Sequence, residues 1–238
     1  MSALSKTIGI IGAMDIEINA LKKEFTDVKI ETVGGTEYII GNLYNCRAVA
    51  AVSGIGKIAA AVCANTMIVK YGVTTIINTG TAGALINDLD IGDVVVAKSL
   101  VEHDVNLTNF GYAPGEMPGV GTAFLPCDEQ LVEAAIHSAD ALGYRCRNGV
   151  IASGDTFICN SKDKERIKNT FSASVCEMEG AAIARVCRMY GVPFIVVRCV
   201  SDTADDKSSV DFDNFKYTAA DTAVHIVSEM IKSLSVIS

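Results

Sequence analysis

Residues 46–83 read CRAVAAVSGIGKIAAAVCANTMIVKYGVTTIINTGTAG, and their pattern decides the fold class. An apolar run, Cys46–Val52, stops at Ser53-Gly54-Ile55-Gly56. Alanines with larger apolar residues at helical spacing then fill Lys57–Tyr71, and Gly72 stands where a glycine closes a helix. A second run rich in Ile, Thr75–Thr79, ends in the glycines of Gly80-Thr81-Ala82-Gly83. Strand, helix and strand succeed one another, and apolar residues continue through such strands rather than alternating, as expected for strands covered on both faces. On the helix, Ile58, Val62, Met67 and Tyr71 are expected to pack on the sheet.

The same alternation extends in both directions. Further strands are expected over Thr7–Ala13, Tyr38–Leu43, Val94–Leu100, Asn148–Ala152 and Phe194–Val200. Further helices are expected over Asp15–Phe25, Glu129–Leu142, Lys162–Phe171, Gly180–Tyr190 and Phe212–Leu234. A hairpin through Leu43-Tyr44-Asn45 makes the sheet mixed. No linker, repeat or charge block divides the chain, so one α/β domain over residues 1–238 is expected, a central mixed, twisted sheet flanked by helices. The longest irregular stretch, Leu107–Pro126, holds three of the four prolines and four glycines, and loops of that length are commonly functional or interfacial.

Composition excludes several classes of function. With 20 basic and 28 acidic residues the 238-residue chain carries a formal charge of −8, which offers no basic footprint for nucleic acid or an anionic membrane. Apolar runs are far shorter than the roughly 20 residues that span a bilayer. The amino-terminal segment enters a strand without a secretory leader pattern, so a cytoplasmic protein is expected. The eight cysteines form no CxxC pair, and His103, His137 and His225 stand apart from one another. No metal site and no cofactor is expected from such spacing, and thiols inside apolar runs act as small core residues.

Ligands of open α/β sheets bind beyond the carboxyl ends of strands. The residues following the expected strands are rich in glycine and carboxylates: Asp15-Ile16-Glu17, Ser53-Gly54-Ile55-Gly56, Thr79–Gly83, Ser153-Gly154-Asp155-Thr156-Phe157-Ile158, Glu177-Met178-Glu179-Gly180 and Ser201-Asp202. Neither SGIGK nor TGTAG has a phosphate-loop spacing. A carboxylate-lined pocket suits a neutral substrate whose reaction centre becomes positive, as in glycoside cleavage, where one acid activates water and another protonates the leaving group. Each residue also has a structural reading. Asp15 and Glu17 are equally first-turn acids of a helix, Glu177 or Glu179 can cap the next one, and Ser201-Asp202 can end a strand as an N-cap. Arg198 interrupts an apolar run, and a buried cation there requires a partner, Glu177 or Glu179.

In sequence order, IGIIGAMDIEI, VSGIGK, INTGTAG, EHDVNLTNFGY, SGDTFI, CEMEGAAIA and VPFIVVRCVSDTAD resemble the motifs of the 5′-methylthioadenosine/S-adenosylhomocysteine nucleosidases, over roughly residues 7 to 220. The resemblance implies hydrolysis of the N-glycosidic bond of adenine thionucleosides by a nucleoside-phosphorylase-like domain, working as a homodimer. It implies that Glu17 activates the water and that Asp202, oriented by Ser201, protonates adenine. It places Glu179 on the ribose diol within an acidic network that includes Glu177 and Arg198, with Met178 beside the sugar, and Phe157 and Ile158 on the base. Thr81 and Gly83 lie near the ribose and water, while Leu107, Phe110 and Pro118 are donated to the neighbouring subunit's 5′ pocket. Thr81 stands where the family often has Ser, and Asp15-Ile16-Glu17 replaces a run of acids, which bears on the choice of 5′ substituent. The rival activities on this fold are a purine nucleoside phosphorylase, which would need cations for phosphate, and a futalosine-type nucleosidase.

Overall fold

The computed structural model describes residues 7–237, so the leader reading of residues 1–6 and the outer limits of the expected domain lie outside the described residues. Strand β1 (Thr7–Gly12), buried throughout, runs parallel to both β4 (Cys46–Val52) and β5 (Thr75–Ala84). From β4 the chain pairs back through the Tyr44-Asn45 turn, whose two residues both have positive φ, to β3 (Thr36–Leu43). Beyond β3 lies β2 (Thr26–Val33), an edge strand absent from the sequence expectation. Its Val28 and Ile30 face solvent, so the burial that would mark it as a strand is missing. Lys29 and Lys70 both pair with Glu31 on this edge, at 2.5 and 2.9 Å, and their hydrogen bonds lower the Glu31 pKa to about 2.

On its other side β5 is parallel to β10 (Phe194–Asp202), and β10 is antiparallel to β6 (Val94–Glu102). β6 is parallel to β8 (Cys146–Ser153), which is parallel to β9 (Ala173–Glu177), and β9 pairs antiparallel with Gly83 and Ala84 at the end of β5. The expected mixed sheet is present, and five of its strands close on themselves. The ten residues of β5 allow this: one edge carries β10 over residues 76–83, and the other carries β1 at its start and β9 at its end. A three-residue strand, β7 (Phe124–Pro126), pairs with β6 at the end of the long irregular stretch.

Helices cover the sheet, with two departures from expectation. In place of a helix over Asp15–Phe25 there is a 3-10 turn at Asp15–Glu17, then the four-residue α1 (Asn19–Lys22), separated by Ile18 at φ −128°. The Glu17 side chain turns back to accept backbone N–H groups from Ala13 and Met14, which holds the chain in a tight turn and interrupts the helical path. Helix α2 (Lys57–Tyr71) forms as expected, and Met67 and Tyr71 pack inward as expected, but Ile58 and Val62 do not. It buries Ala60, Cys63, Ala64 and Met67 and leaves Ile58, Val62 and Val69 exposed. Its small residues let it lie close to α5 (Gly180–Tyr190), which the larger side chains could not do. Tyr71 is half-buried, its ring centroid 5.1 Å from that of Tyr38.

The remaining helices are α3 (Glu129–Ala141), α4 (Ser161–Phe171) and α6 (Ser208–Ile237). Asp128 caps α3 by accepting the Leu131 N–H, and Asn160 caps α4 by accepting the Asp163 N–H at 2.9 Å. α4 follows the Phe157-Ile158 loop directly, so its cap also fixes where that loop ends. Asn160→Ala is expected to destabilise the protein by about 1 kcal/mol, read as a melting temperature lower by roughly 2–4 °C; an unchanged melting curve would show that the cap contributes nothing.

Candidate active site

Arg198, in the middle of β10 and 2% exposed, is the largest fully buried side chain among the described residues. One of its terminal nitrogens donates to Asn78 Oδ1 at 2.6 Å, makes a short ion pair with Glu177 and lies 4.0 Å from Glu179; the other donates to the Val197 carbonyl. Asn78, fully buried on β5, is itself tied to the Ile11 carbonyl on β1 at 2.8 Å. The guanidinium therefore binds three strands and an acidic corner together. Burial opposes its charge, but Glu177, Glu179 and Glu17 outweigh that and raise its pKa.

Glu177 is the last residue of β9 and caps α5. Its carboxylate accepts N–H groups from Glu179 at 3.1 Å and Gly180 at 2.8 Å, and a short hydrogen bond from Ser153 Oγ. Burial would raise its pKa, yet Arg198 and these donors hold it below the usual value. Glu179 differs. It is buried against a neighbouring carboxylate with one backbone donor, Gly56 N–H at 2.9 Å, and its pKa is raised to about 8 by burial and by Glu177. The two acids were open to a capping reading; Glu177 fulfils it, and Glu179 turns its carboxylate toward the start of α2.

Glu17 sits 3% exposed at the 3-10 turn. One oxygen accepts from Ala13 and Met14 N–H at 2.7 and 3.0 Å, the other from Thr81 N–H at 3.1 Å. A Cβ on Gly80 would lie 2.6 Å from that second oxygen, so only glycine admits the carboxylate here. Burial raises the Glu17 pKa, countered in part by the Arg198 charge and the three N–H donors. Asp15, by contrast, is a solvent-exposed acid paired with Lys22 at 3.2 Å.

Asp202 ends β10. A bulge between Val200 and Asp202 shifts the register so that Asp202 lies opposite Gly83. A Cβ on Gly83 would stand 2.7 Å from Asp202 Oδ1, which gives the glycine its reason. The carboxylate accepts from Ser201 Oγ and Ala204 N–H, both at 2.9 Å, and burial raises its pKa above the ordinary aspartate value. It does not cap a helix, since α6 begins only at Ser208.

A cavity of about 360 Å³, within the usual range for small-molecule sites, brings together Glu17, Thr81, Gly83, Phe157, Glu177, Met178, Glu179, Ser201 and Asp202. Ile158 lies in a smaller recess beside it, next to Gly83, Phe157 and Asp202, and Arg198 stands behind the acids rather than on the wall. No lysine or arginine lines the cavity. Leu107, Phe110 and Pro118 do not reach it within one chain; Leu107 is half-buried, while Phe110 and Pro118 are exposed on the loop between β6 and β7. Ser153 and Ile55 fall in the strand-end segments that the sequence singles out, without a role assigned to either, whereas Asn78 and Phe212 were missed. Asn78 was detectable as a polar residue near the end of an apolar strand. Phe212 gave no such signal: it comes from the first turns of α6 and meets Phe157 edge-on, ring centroids 5.7 Å apart.

Comparison with known proteins gives a consistent result. The model of the Phosphorylase superfamily matches residues 7–232. A 5′-methylthioadenosine/S-adenosylhomocysteine nucleosidase of Shewanella loihica is 41% identical over 229 residues, covering 95% of this chain and 99% of its own length. The Neisseria meningitidis nucleosidase of that name, solved with methylthio-immucillin-A, superposes with a TM-score of 0.93 at 40% identity, covering 96% of this chain and 99% of the other. A futalosine hydrolase of Helicobacter pylori also superposes with a TM-score of 0.93, at 36% identity over 98% of this chain and all of its own. With a matching superfamily model and relatives at this identity along nearly its whole length, the chain belongs to the 5′-methylthioadenosine/S-adenosylhomocysteine nucleosidases of the phosphorylase superfamily.

Proposed function

We propose that the cavity hydrolyses the N-glycosidic bond of 5′-methylthioadenosine and S-adenosylhomocysteine, releasing adenine and the thioribose. The observation that carries this reading is a pair of buried acids, Glu17 and Asp202, in one cavity whose wall holds no cation. Glu17 takes a proton from water, the water oxygen bonds to C1′, and the C1′–N bond breaks through an oxocarbenium-like state. Asp202 gives its proton to a ring nitrogen of the departing adenine, which would otherwise leave as an anion. Burial favours the protonated form of Asp202 and makes Glu17 a stronger base than an exposed glutamate. The Glu177–Glu179 pair holds the sugar side, with Glu179 accepting from the ribose diol and Met178 against the ring. Phe157 stacks on the base beside Ile158, Thr81 and Gly83 flank the sugar, and Ser201 orients Asp202. No cofactor takes part in this scheme.

The absence of Lys or Arg from the wall disfavours phosphorolysis, which must hold a phosphate. Futalosine hydrolysis is a second reading, favoured by the likeness to the H. pylori enzyme. The bond broken is the same type and only the 5′ end differs, so side-by-side kcat/KM values for the two substrates decide between them.

The enzyme is read as a homodimer with shared sites. Support comes from Ile58, Val62 and Val69 along one face of α2, with Met189 at the end of α5 and Phe110 on the loop, all exposed in the single chain. Leu107, Phe110 and Pro118 would then close the 5′ pocket of the partner subunit. A cytoplasmic location fits thiols used as core packing, as in Cys63, Cys187 and Cys199.

Glu17→Gln is expected to bind substrate but to lose roughly 10²–10⁴-fold in kcat, the range for a general base; near-normal turnover would return Glu17 to a structural role. Asp202→Asn cannot release a proton, so cleavage of methylthioadenosine should nearly vanish while p-nitrophenyl riboside, whose leaving group needs no protonation, loses much less. Equal losses on the two substrates would remove Asp202 from the acid role. Phe110→Ala should raise KM for substrates with bulky 5′-thio groups more than it lowers kcat, and a fully active monomer in sedimentation would dismiss the shared site.

A further inference from the structure

Lys57, the last residue of SGIGK, lies outside the cavity and has no part in the scheme above. Its ammonium donates to Glu102 Oε2 at 3.0 Å and to Asp104 Oδ1 at 2.7 Å, with the side chain 17% exposed. Its backbone N–H donates to Asp155 Oδ1 at 2.7 Å, and the Asp155 N–H donates in turn to Asp104 Oδ2 at 3.0 Å. Lys57, Asp104 and Asp155 thus bond pairwise in a ring, each from a different segment: the start of α2, the chain after β6 and the loop after β8. The other oxygen of Glu102 accepts from Arg185 Nε on α5 at 2.7 Å. Lys57 and Arg185 therefore share one carboxylate, which ties the start of α2 to the second turn of α5.

Those same two helix starts are bridged inside the site by the Gly56 N–H on Glu179. Gly56 has φ +99°, a conformation with little intrinsic preference, and a Cβ on it would meet Asp155 Oδ1 at 3.0 Å. Something must hold this turn in place, and the only side chain reaching from it into fixed charges is that of the next residue. Partly buried, multiply bonded charges of this kind keep their geometry better than exposed pairs. Burial opposes the Lys57 ammonium, but Asp104 and Glu102 outweigh it and hold its pKa above the ordinary lysine value.

We propose that Lys57 is a positioning residue for ribose recognition, fixing the start of α2 so that the Gly56 N–H stays aimed at Glu179. The assignment rests on the reading of Glu179 as the acceptor of the ribose diol. The test compares a ligand that has the diol with one that lacks it. In Lys57→Met, which keeps the apolar stem and removes the charge, KM for methylthioadenosine should rise roughly 10-fold, less than the ~10²-fold that a 1 Å misplacement can bring. The inhibition constant of free adenine should change less than about 2-fold, since adenine carries no diol, and Lys57→Arg should restore most of the KM. An unmoved KM, or equal weakening of methylthioadenosine and adenine, overturns the assignment and leaves Lys57 a stabilising ion pair. If Lys57→Met does not fold, Asp104→Asn, which loosens the hold on the ammonium from the other side, is read by the same ratio. Wild-type protein that releases no adenine from methylthioadenosine would overturn the functional reading, and this assignment with it; wild-type turnover with an unmoved variant KM overturns the assignment alone.

Discussion

A guanidinium inside a β-sheet is tolerable only if every nearby group is arranged to keep it charged, and Arg198 imposes that arrangement on this protein. Removing one partner of such a buried pair typically costs 3–5 kcal/mol, so Glu177, Asn78 and the strands that carry them are fixed together. Glu177, held ionised by Arg198, then caps α5. The helix start so defined delivers Glu179 into the cavity, where burial, with the charge of Glu177 added to it, raises its pKa to about 8. Glu17 feels the same cation from the other side. One buried arginine thus keeps Glu177 ionised and tempers the upward shift that burial gives Glu17 and Glu179, without standing on the cavity wall.

The closed five-strand arrangement supplies the geometry that charge alone cannot. Gly83 pairs with Asp202 through β10 and with Cys176 through β9, so the last residues of three strands converge on one glycine. The acid of Asp202 and the corner of Glu177 are thereby brought to one place from opposite neighbours of β5. Without the bulge before Asp202 the register would carry its side chain to the other face.

Much of this was legible in the sequence, because the residues that line the cavity stand at strand ends. Glycines beside acids after apolar runs located Glu17, Thr81, Gly83, Glu179 and Asp202, and the cavity contains all of them. Arg198 announced a buried partner by breaking an apolar run. What the sequence hid was long-range or inverted. The return of β9 to β5 involves two residue pairs and leaves no periodic trace. The expected helix at Asp15 lost to the backbone bonds of Glu17, a local preference overridden by a buried carboxylate. On α2 the periodicity marks a helix and places Met67 and Tyr71 inward, but Ile58 and Val62 turn out to solvent, since close packing favoured alanines in their place.

The strand ring also decides where this fold is vulnerable to unwanted association. Five strands that satisfy one another offer little free backbone to a stranger, so the longest open run of N–H and C=O groups is on β2. There the two apolar side chains that face outward alternate with Asp27, Lys29 and Glu31, and a register shift with Asp27 in a left-handed conformation bends the strand near its start. Any second strand docking on that edge would have to lie against alternating fixed charges and a bent template. The exposed apolar side chains of α2 and α5 thus lie on helices, away from an open strand edge that is itself guarded by charge.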